Sequence, residues 1–223
     1  MTRTIVAILL ALLATKAMAE EAFTIDPIPD DMWAAMDGVS WHEALACPNR
    51  RPCCPVRRDL SLVTVPYVDF DGATQRGQLI VVHDLAQEVG EMFVEIHAAG
   101  FRIERMEPVY RFGGDDTVSM DNNNTSAFNC RMTTSGSRLS QHGEGTAIDI
   151  NPIQNPYVRG GTVSPRAGTP YAKPQDRDGA NPNAKGIITA DGDVVRIFQE
   201  RGWGWGGNWQ NSKDYQHFSL SGT

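Results

Sequence analysis

The sequence predicts a single domain that mixes strands with helices, and three observations carry this expectation. The 223 residues suffice for one compact domain with a proper core and are too few for two. Hydrophobic residues make up 41% and charged residues 21%, the balance of a globular protein rather than a disordered one. Strand-like and helix-like apolar spacings also follow one another along the chain, separated by glycine-bearing turns.

Taken in order, residues 20–58 are proline-rich with little periodicity, and read as an extended arm pinned by cysteines. Residues 60–70 hold the β-formers Val63, Val65 and Tyr67 and read as a strand, closed by the turn Asp71-Gly72. A second strand is expected over 78–82. Over 84–99 the spacing of Leu85, Val89, Met92, Phe93 and Ile96 is helical, and Gly100 suits the stop. Residues 101–109 return as a strand, and 113–125 read as a polar loop around Asp121-Asn122-Asn123-Asn124. Two overlapping glycosylation patterns start at Asn123 and Asn124, a signal common by chance. A short strand is expected over 146–150, a short helix over 193–201 closed by Gly202, and a last strand over 215–220. Residues 152–186 hold six prolines and five glycines without periodicity. A stretch of that length is a wall or lid over a site, or else a mobile surface insertion.

The N-terminus reads as an export signal. Arg3 gives the positive start, residues 5–14 the apolar run, and Ala17-Met18-Ala19 the small-residue cleavage site. The expected division is thus a signal over 1–19, an arm over 20–58 and one main domain over 59–223. The apolar run is too short for a permanent membrane span, so the mature protein is expected to be soluble, in the periplasm or outside the cell. Of 20 basic residues, loss of Arg3 and Lys16 leaves 18 against 27 acidic ones, moving the net charge from −7 to −9. That balance offers no footprint for nucleic acid and none for an anionic membrane. The four cysteines, Cys47, Cys53, Cys54 and Cys130, read as disulfides in an exported chain. Adjacent Cys53 and Cys54 rarely reach disulfide geometry with each other, which leaves Cys47 bonded to one and Cys130 to the other. Zinc held by Cys47, Cys53 and Cys54 is the competing reading, on a spacing that matches no common zinc motif.

The chemistry concentrates in two places. In Ser140-Gln141-His142-Gly143-Glu144-Gly145-Thr146-Ala147-Ile148-Asp149-Ile150, a glycine-broken turn carries His142 and the following strand carries Asp149. Gly143 and Gly145 let the backbone bend so that both side chains reach one point. Ala147 shares a strand face with Asp149 and leaves room beside it. Near the C-terminus, Asp214-Tyr215-Gln216-His217 offers a second histidine with a carboxylate three residues earlier. Two histidines and one aspartate are the ligand set of a catalytic zinc with an open fourth position. Zinc lowers the pKa of water toward neutrality, and Asp214 is placed to take that proton and return it to a leaving amine. His42, His83 and His97 lack such company and read as ordinary satisfied histidines.

These two segments resemble the zinc D-alanyl-D-alanine carboxypeptidases and L-alanyl-D-glutamate endopeptidases. Residues 124–131, 151–158 and 203–209 also resemble the family, so the similarity extends over most of 117–219. The resemblance implies an α+β fold of the hedgehog/DD-peptidase type, an antiparallel sheet with flanking helices. It makes His142, Asp149 and His217 the ligands of one zinc ion and Asp214 the general base and acid. It makes Arg131 the group that stabilises the oxyanion and holds substrate, and Ser140 a substrate-binding residue. The implied substrate is a peptidoglycan stem peptide, cut at D-alanyl-D-alanine or at L-alanyl-D-glutamate. The alternative is a non-catalytic zinc-containing module of the same fold that binds cell wall or protein. Scissile bond, disulfide pairing, oligomeric state and physiological role stay open.

Overall fold

A central hairpin organises the protein. The computed structural model describes residues 22–45, 53–133, 136, 138–177 and 185–222. The expected signal over 1–19 and Cys47 lie outside them. Strands β2 (Leu60–Val68) and β3 (Thr74–Val82) pair antiparallel, with Leu62 opposite Ile80 and Val63 opposite Leu79. Side chains alternate across a strand, and here both faces are apolar. Val63, Val65, Leu79 and Val81 join one core cluster, while Leu60, Leu62 and Ile80 join another. A sheet apolar on both faces must be covered twice.

Helix α2 (Ala86–Ala98) covers the first face with Val89, Met92, Phe93 and Ile96, all fully buried. Its glycine, Gly90, is where the Phe23 ring sits; a Cβ there would come within 2.3 Å of the ring. The expected helix over 84–99 thus forms, with its first turn as a 3-10 turn at His83–Leu85.

The second face is covered by the segment expected to be an extended arm. It is more structured than its composition predicts. Strand β1 (Thr24–Pro27) pairs with β2 at the sheet edge. Helix α1 (Asp30–Met36) then lays Met32 and Met36 over Leu60, Leu62 and Ile80. Phe128 and the Cys54–Cys130 disulfide complete this layer. That bond is one of the two pairings open for Cys130. Cys53 is disulfide-bonded as well, so the cysteine zinc reading fails for want of thiolates.

Two further expectations need correction. The strand over 101–109 shrinks to β4 (Arg105–Met106), because Pro108 cannot donate to a ladder and the chain turns at Val109–Phe112. The loop over 113–125 contains helix α3 (Asp116–Asp121) and strand β5 (Asn124–Thr125), which runs parallel to β4. Asp115 caps α3, accepting from the Thr117 and Val118 amides at 2.8 and 3.2 Å. The helix buries only Ser119, so it has no apolar stripe to betray it. Asn123 and Asn124 are buried with their amide groups bonded to Gln154, Glu107 and Ser119, and the folded chain does not offer them for glycosylation.

The C-terminal half supplies helix α4 (Gln141–Glu144), strand β6 (Ala147–Asp149), strands β7 (Tyr157–Arg159) and β8 (Thr162–Ser164), and helix α5 (Asp193–Gln199). Strands β9 (Gly204–Trp205), β10 (Lys213–Asp214) and β11 (His217–Ser219) follow. Among the described residues the antiparallel pairing forms three three-stranded sheets, ordered β1-β2-β3, β10-β7-β8 and β6-β11-β9. This is the α+β class expected. The described parts of 152–186 are neither structureless nor loose. Arg177 is buried there and donates to the carbonyls of Gln154 and Ile188 at 2.7 Å and to Asn155 Oδ1 at 2.9 Å. Its guanidinium stacks 3.8 Å from the Tyr215 ring centroid.

The Cys54–Cys130 bond spans 76 residues, and loop closure of that size is worth about 4 kcal/mol. The Cys54→Ser/Cys130→Ser double variant is expected to lose stability on that order in denaturant unfolding without added reductant. An unchanged midpoint would mean that the bond contributes nothing beyond the packing around it.

Candidate metal centre

The motif folds as its residues dictate. Ser140 opens α4 as its N-cap, its hydroxyl accepting from the His142 amide at 3.3 Å. Gly145 closes it with φ of 71°, and its carbonyl accepts from Val82 of the central hairpin at 3.1 Å. A Cβ on Gly145 would sit 3.1 Å from Val82, so the tight exit from α4 requires glycine. The chain then enters β6, where Asp149 lies directly opposite His217 of β11. On its other side Asp149 exchanges both backbone hydrogen bonds with Ser126, at 2.8 and 2.9 Å. Its position is fixed from two sides.

This arrangement brings three expected ligands together. Asp149 Oδ1 lies 3.2 Å from His142 Nε2 and 3.0 Å from His217 Nδ1. The two ring nitrogens are 3.3 Å apart. All three side chains are buried, and their ligand atoms fall within 4.8 Å of one another. The outer nitrogens decide what the inner ones do. His142 Nδ1 donates to the Ala127 carbonyl at 2.7 Å, and His217 Nε2 donates to Gln141 Oε1 at 3.3 Å. Each neutral ring therefore turns a lone pair inward, toward the carboxylate and toward the other ring. Three acceptors facing one another in a dry pocket need a proton or a cation between them. Two imidazoles with outer N–H groups tied to acceptors, plus one carboxylate, fit zinc.

The electrostatics agree. Burial alone would lower the His142 pKa, but the Asp149 charge wins and raises it. Burial would raise the Asp149 pKa, yet the two histidines hold it far below the usual carboxylate range. Asp214 goes the other way. Burial, with the negative charge of Asp149, pushes it up to about 7. Its Oδ1 is shut off from solvent without a hydrogen-bond partner among the described residues. A cation in the cluster would offset the charge of Asp149 and return Asp214 toward its ionised form. Asp214 is set by β10, which pairs with β7 so that Asp214 faces Tyr157. Strand β7, from the described part of 152–186, thereby flanks the strand that carries this carboxylate.

Residues 133–220 match the family model described as D-alanyl-D-alanine carboxypeptidase. No curated protein and no solved structure matches the chain. The matched stretch contains Ser140, His142, Asp149, Asp214 and His217, and so the whole converging cluster. Arg131 lies just before it. The peptidase family match and the His–Asp–His cluster thus fall on the same segment.

Arg131 reaches the cluster through its backbone. Its carbonyl accepts from Ser140 at 3.0 Å, and the neighbouring Asn129 amide donates to the His142 carbonyl at 3.1 Å. Its positive charge acts to lower the His142 pKa. The guanidinium itself is ion-paired with Asp116. Ser140, expected to contact substrate, serves in the fold as a helix cap. Sequence reasoning missed the outer partners, the Ala127 carbonyl and Gln141. A backbone carbonyl leaves no signal in a sequence, and Gln141 looks like any polar helix residue. Trp209 was also missed as a neighbour; its ring lies 5.5 Å from that of His217.

His142→Ala and His217→Ala are each expected to abolish zinc retention, read by metal analysis after dialysis. Full zinc in either variant would remove that residue from the ligand set. Metal uptake is also expected to depend on pH. With the His142 pKa raised above its ordinary value by the Asp149 charge, its proton competes with the metal at lower pH and leaves as pH rises. Zinc titrations should show weaker binding at pH 6 than at pH 8, and equal affinities would contradict a histidine that must first lose a proton.

Proposed function

We propose that the protein is an exported zinc metallopeptidase that hydrolyses peptidoglycan stem peptides, at a D-alanyl-D-alanine or an L-alanyl-D-glutamate bond. One observation carries the reading: two histidine lone pairs and a carboxylate converge in a buried pocket, inside the segment that matches a D-alanyl-D-alanine carboxypeptidase family. The sequence adds a leader of export type at residues 1–19, and no helix among the described residues is long and apolar enough to cross a membrane.

His142, Asp149 and His217 would hold the zinc. When bound, the ion acts as a Lewis acid that polarises a carbonyl and makes water a nucleophile near neutral pH. The chain's own groups do the rest. Asp214, ionised beside a cation, accepts the proton of the attacking water and passes it to the amine that leaves. A carboxylate in a largely desolvated position suits this task, because its pKa is free to move toward neutrality as charge at the centre changes. Arg131 offers its guanidinium N–H groups to the oxygen that gains charge as the carbonyl becomes tetrahedral. Ser140 keeps His142 in place through the start of α4, and Gln141 keeps the His217 ring turned with Nδ1 inward.

Incubation with defined muropeptides, with and without chelator, tests the proposal by the masses of the products. Chelator-sensitive cleavage at one of the two bonds is expected. Zinc-loaded protein that binds muropeptides but cuts neither bond would favour the binding-module alternative. Asp214→Ala is expected to keep zinc and lose ~10²–10⁴-fold in turnover, the usual worth of general acid–base help. Arg131→Ala is expected to cost on the order of 10²–10³-fold, as loss of an oxyanion donor does. Near-normal kinetics in either variant would remove that residue from its role.

A further inference from the structure

We propose that Asp116 is the positioning residue for Arg131, a carboxylate that holds the guanidinium in its working pose although it lies outside both sequence motifs. The inference rests on Arg131 acting as the oxyanion donor. Asp116 lies in the first turn of α3, a helix fixed at its start by the Asp115 cap. One of its oxygens, Oδ2, forms the ion pair with Arg131 Nη2. The other, Oδ1, accepts from the Asn129 side-chain amide at 3.3 Å. That same amide donates to the Gly114 carbonyl at 3.1 Å, just ahead of α3. Asn129 is buried, and its backbone amide is the one bonded to the His142 carbonyl. One side chain thus ties Asp116, the start of α3 and the helix bearing the first expected ligand into a single frame.

The remaining contacts of Arg131 explain why it needs this anchor. Among the described residues, Nη1 reaches only the Met132 carbonyl, at 3.4 Å, and Nε is buried without a partner. A long cationic side chain with one strong contact has its direction set by that contact. Misplacing a donor by a fraction of a bond length weakens transition-state stabilisation while leaving substrate binding largely intact. The ion pair is partly exposed on both sides, and surface pairs of this kind add little to stability. Its value is in orientation, and its loss should appear in kinetics more than in folding.

The test uses full-length mature protein, zinc-loaded, with wild type, Asp116→Asn, Asp116→Glu, Arg131→Ala and the Asp116→Asn/Arg131→Ala double variant. Two quantities are measured on each: kcat and KM on the muropeptide that wild type cuts, and affinity for a phosphinate dipeptide that mimics the tetrahedral state. Asp116→Asn is expected to lower kcat and phosphinate affinity on the order of 10-fold, the lower end for an outer partner. KM, zinc content and melting temperature should stay near wild type. Asp116→Glu should recover much of both losses. In the Arg131→Ala background, Asp116→Asn should cost nothing further. Unchanged or faster turnover in Asp116→Asn would overturn the proposal, as would an equal loss with and without Arg131. Arg131→Ala at wild-type speed would instead bring down the oxyanion role, and the Asp116 proposal with it. Should wild type turn nothing over, the phosphinate series decides the coupling by the same comparisons.

Discussion

Asp149 and His217 face each other across two antiparallel strands, and His142 completes the group from the short helix that precedes one of them. Each histidine has its outer nitrogen committed to an oxygen acceptor, so all three side chains present acceptor atoms to the same small volume. Burial makes this arrangement costly without a positive charge in the middle. A proton can supply that charge, which is why the His142 pKa rises. A zinc ion supplies it better and leaves an open position for chemistry. Much of the surrounding structure can be understood as holding these acceptors close while keeping water out.

The supports come from every layer. Ser126 pins the backbone of Asp149 on the side away from His217. Phe198 stacks on Phe218, next to His217, with ring centroids 4.1 Å apart, so the core packs directly behind the ligand strand. The central hairpin reaches the site through the Gly145 carbonyl and Val82. On the other face of that hairpin, the N-terminal segment is bonded to Cys130, one residue before Arg131. The Cys130 amide also donates to the Ser40 carbonyl at 2.9 Å. The disulfide and this hydrogen bond join the N-terminal layer to the stretch that carries the arginine, so the layer that seals the sheet also steadies the chain beside the cluster.

The cluster itself was legible in the sequence because each histidine travels with a carboxylate at a spacing that two strands and a turn convert into proximity. The hairpin and α2 were legible because their apolar periodicities are strong. What escaped had no periodic apolar signal. Helix α3 is polar on nearly all sides and is defined by the Asp115 cap. The N-terminal strand and helix cover a sheet face that only becomes an obligation once β2 and β3 are seen to be apolar on both sides. Arg177, stacked on Tyr215 and bonded mainly to carbonyls, shows why the proline-rich stretch is ordered where it is described. A guanidinium satisfied by backbone oxygens leaves no partner to find in a sequence. Asp116 is hidden for a different reason: its side-chain partner Arg131 lies 15 residues away in a segment with no shared pattern.

The central claim is that His142, Asp149 and His217 form one open zinc site. X-ray absorption at the zinc edge of the purified, zinc-loaded protein tests it most directly, because it reads ligand atoms without reference to substrate. The account predicts one zinc per chain with nitrogen and oxygen neighbours at about 2.0–2.2 Å, two of them imidazoles, and no sulfur. A sulfur shell near ~2.3 Å, or an unchanged spectrum in His217→Ala, would place the metal elsewhere and contradict it.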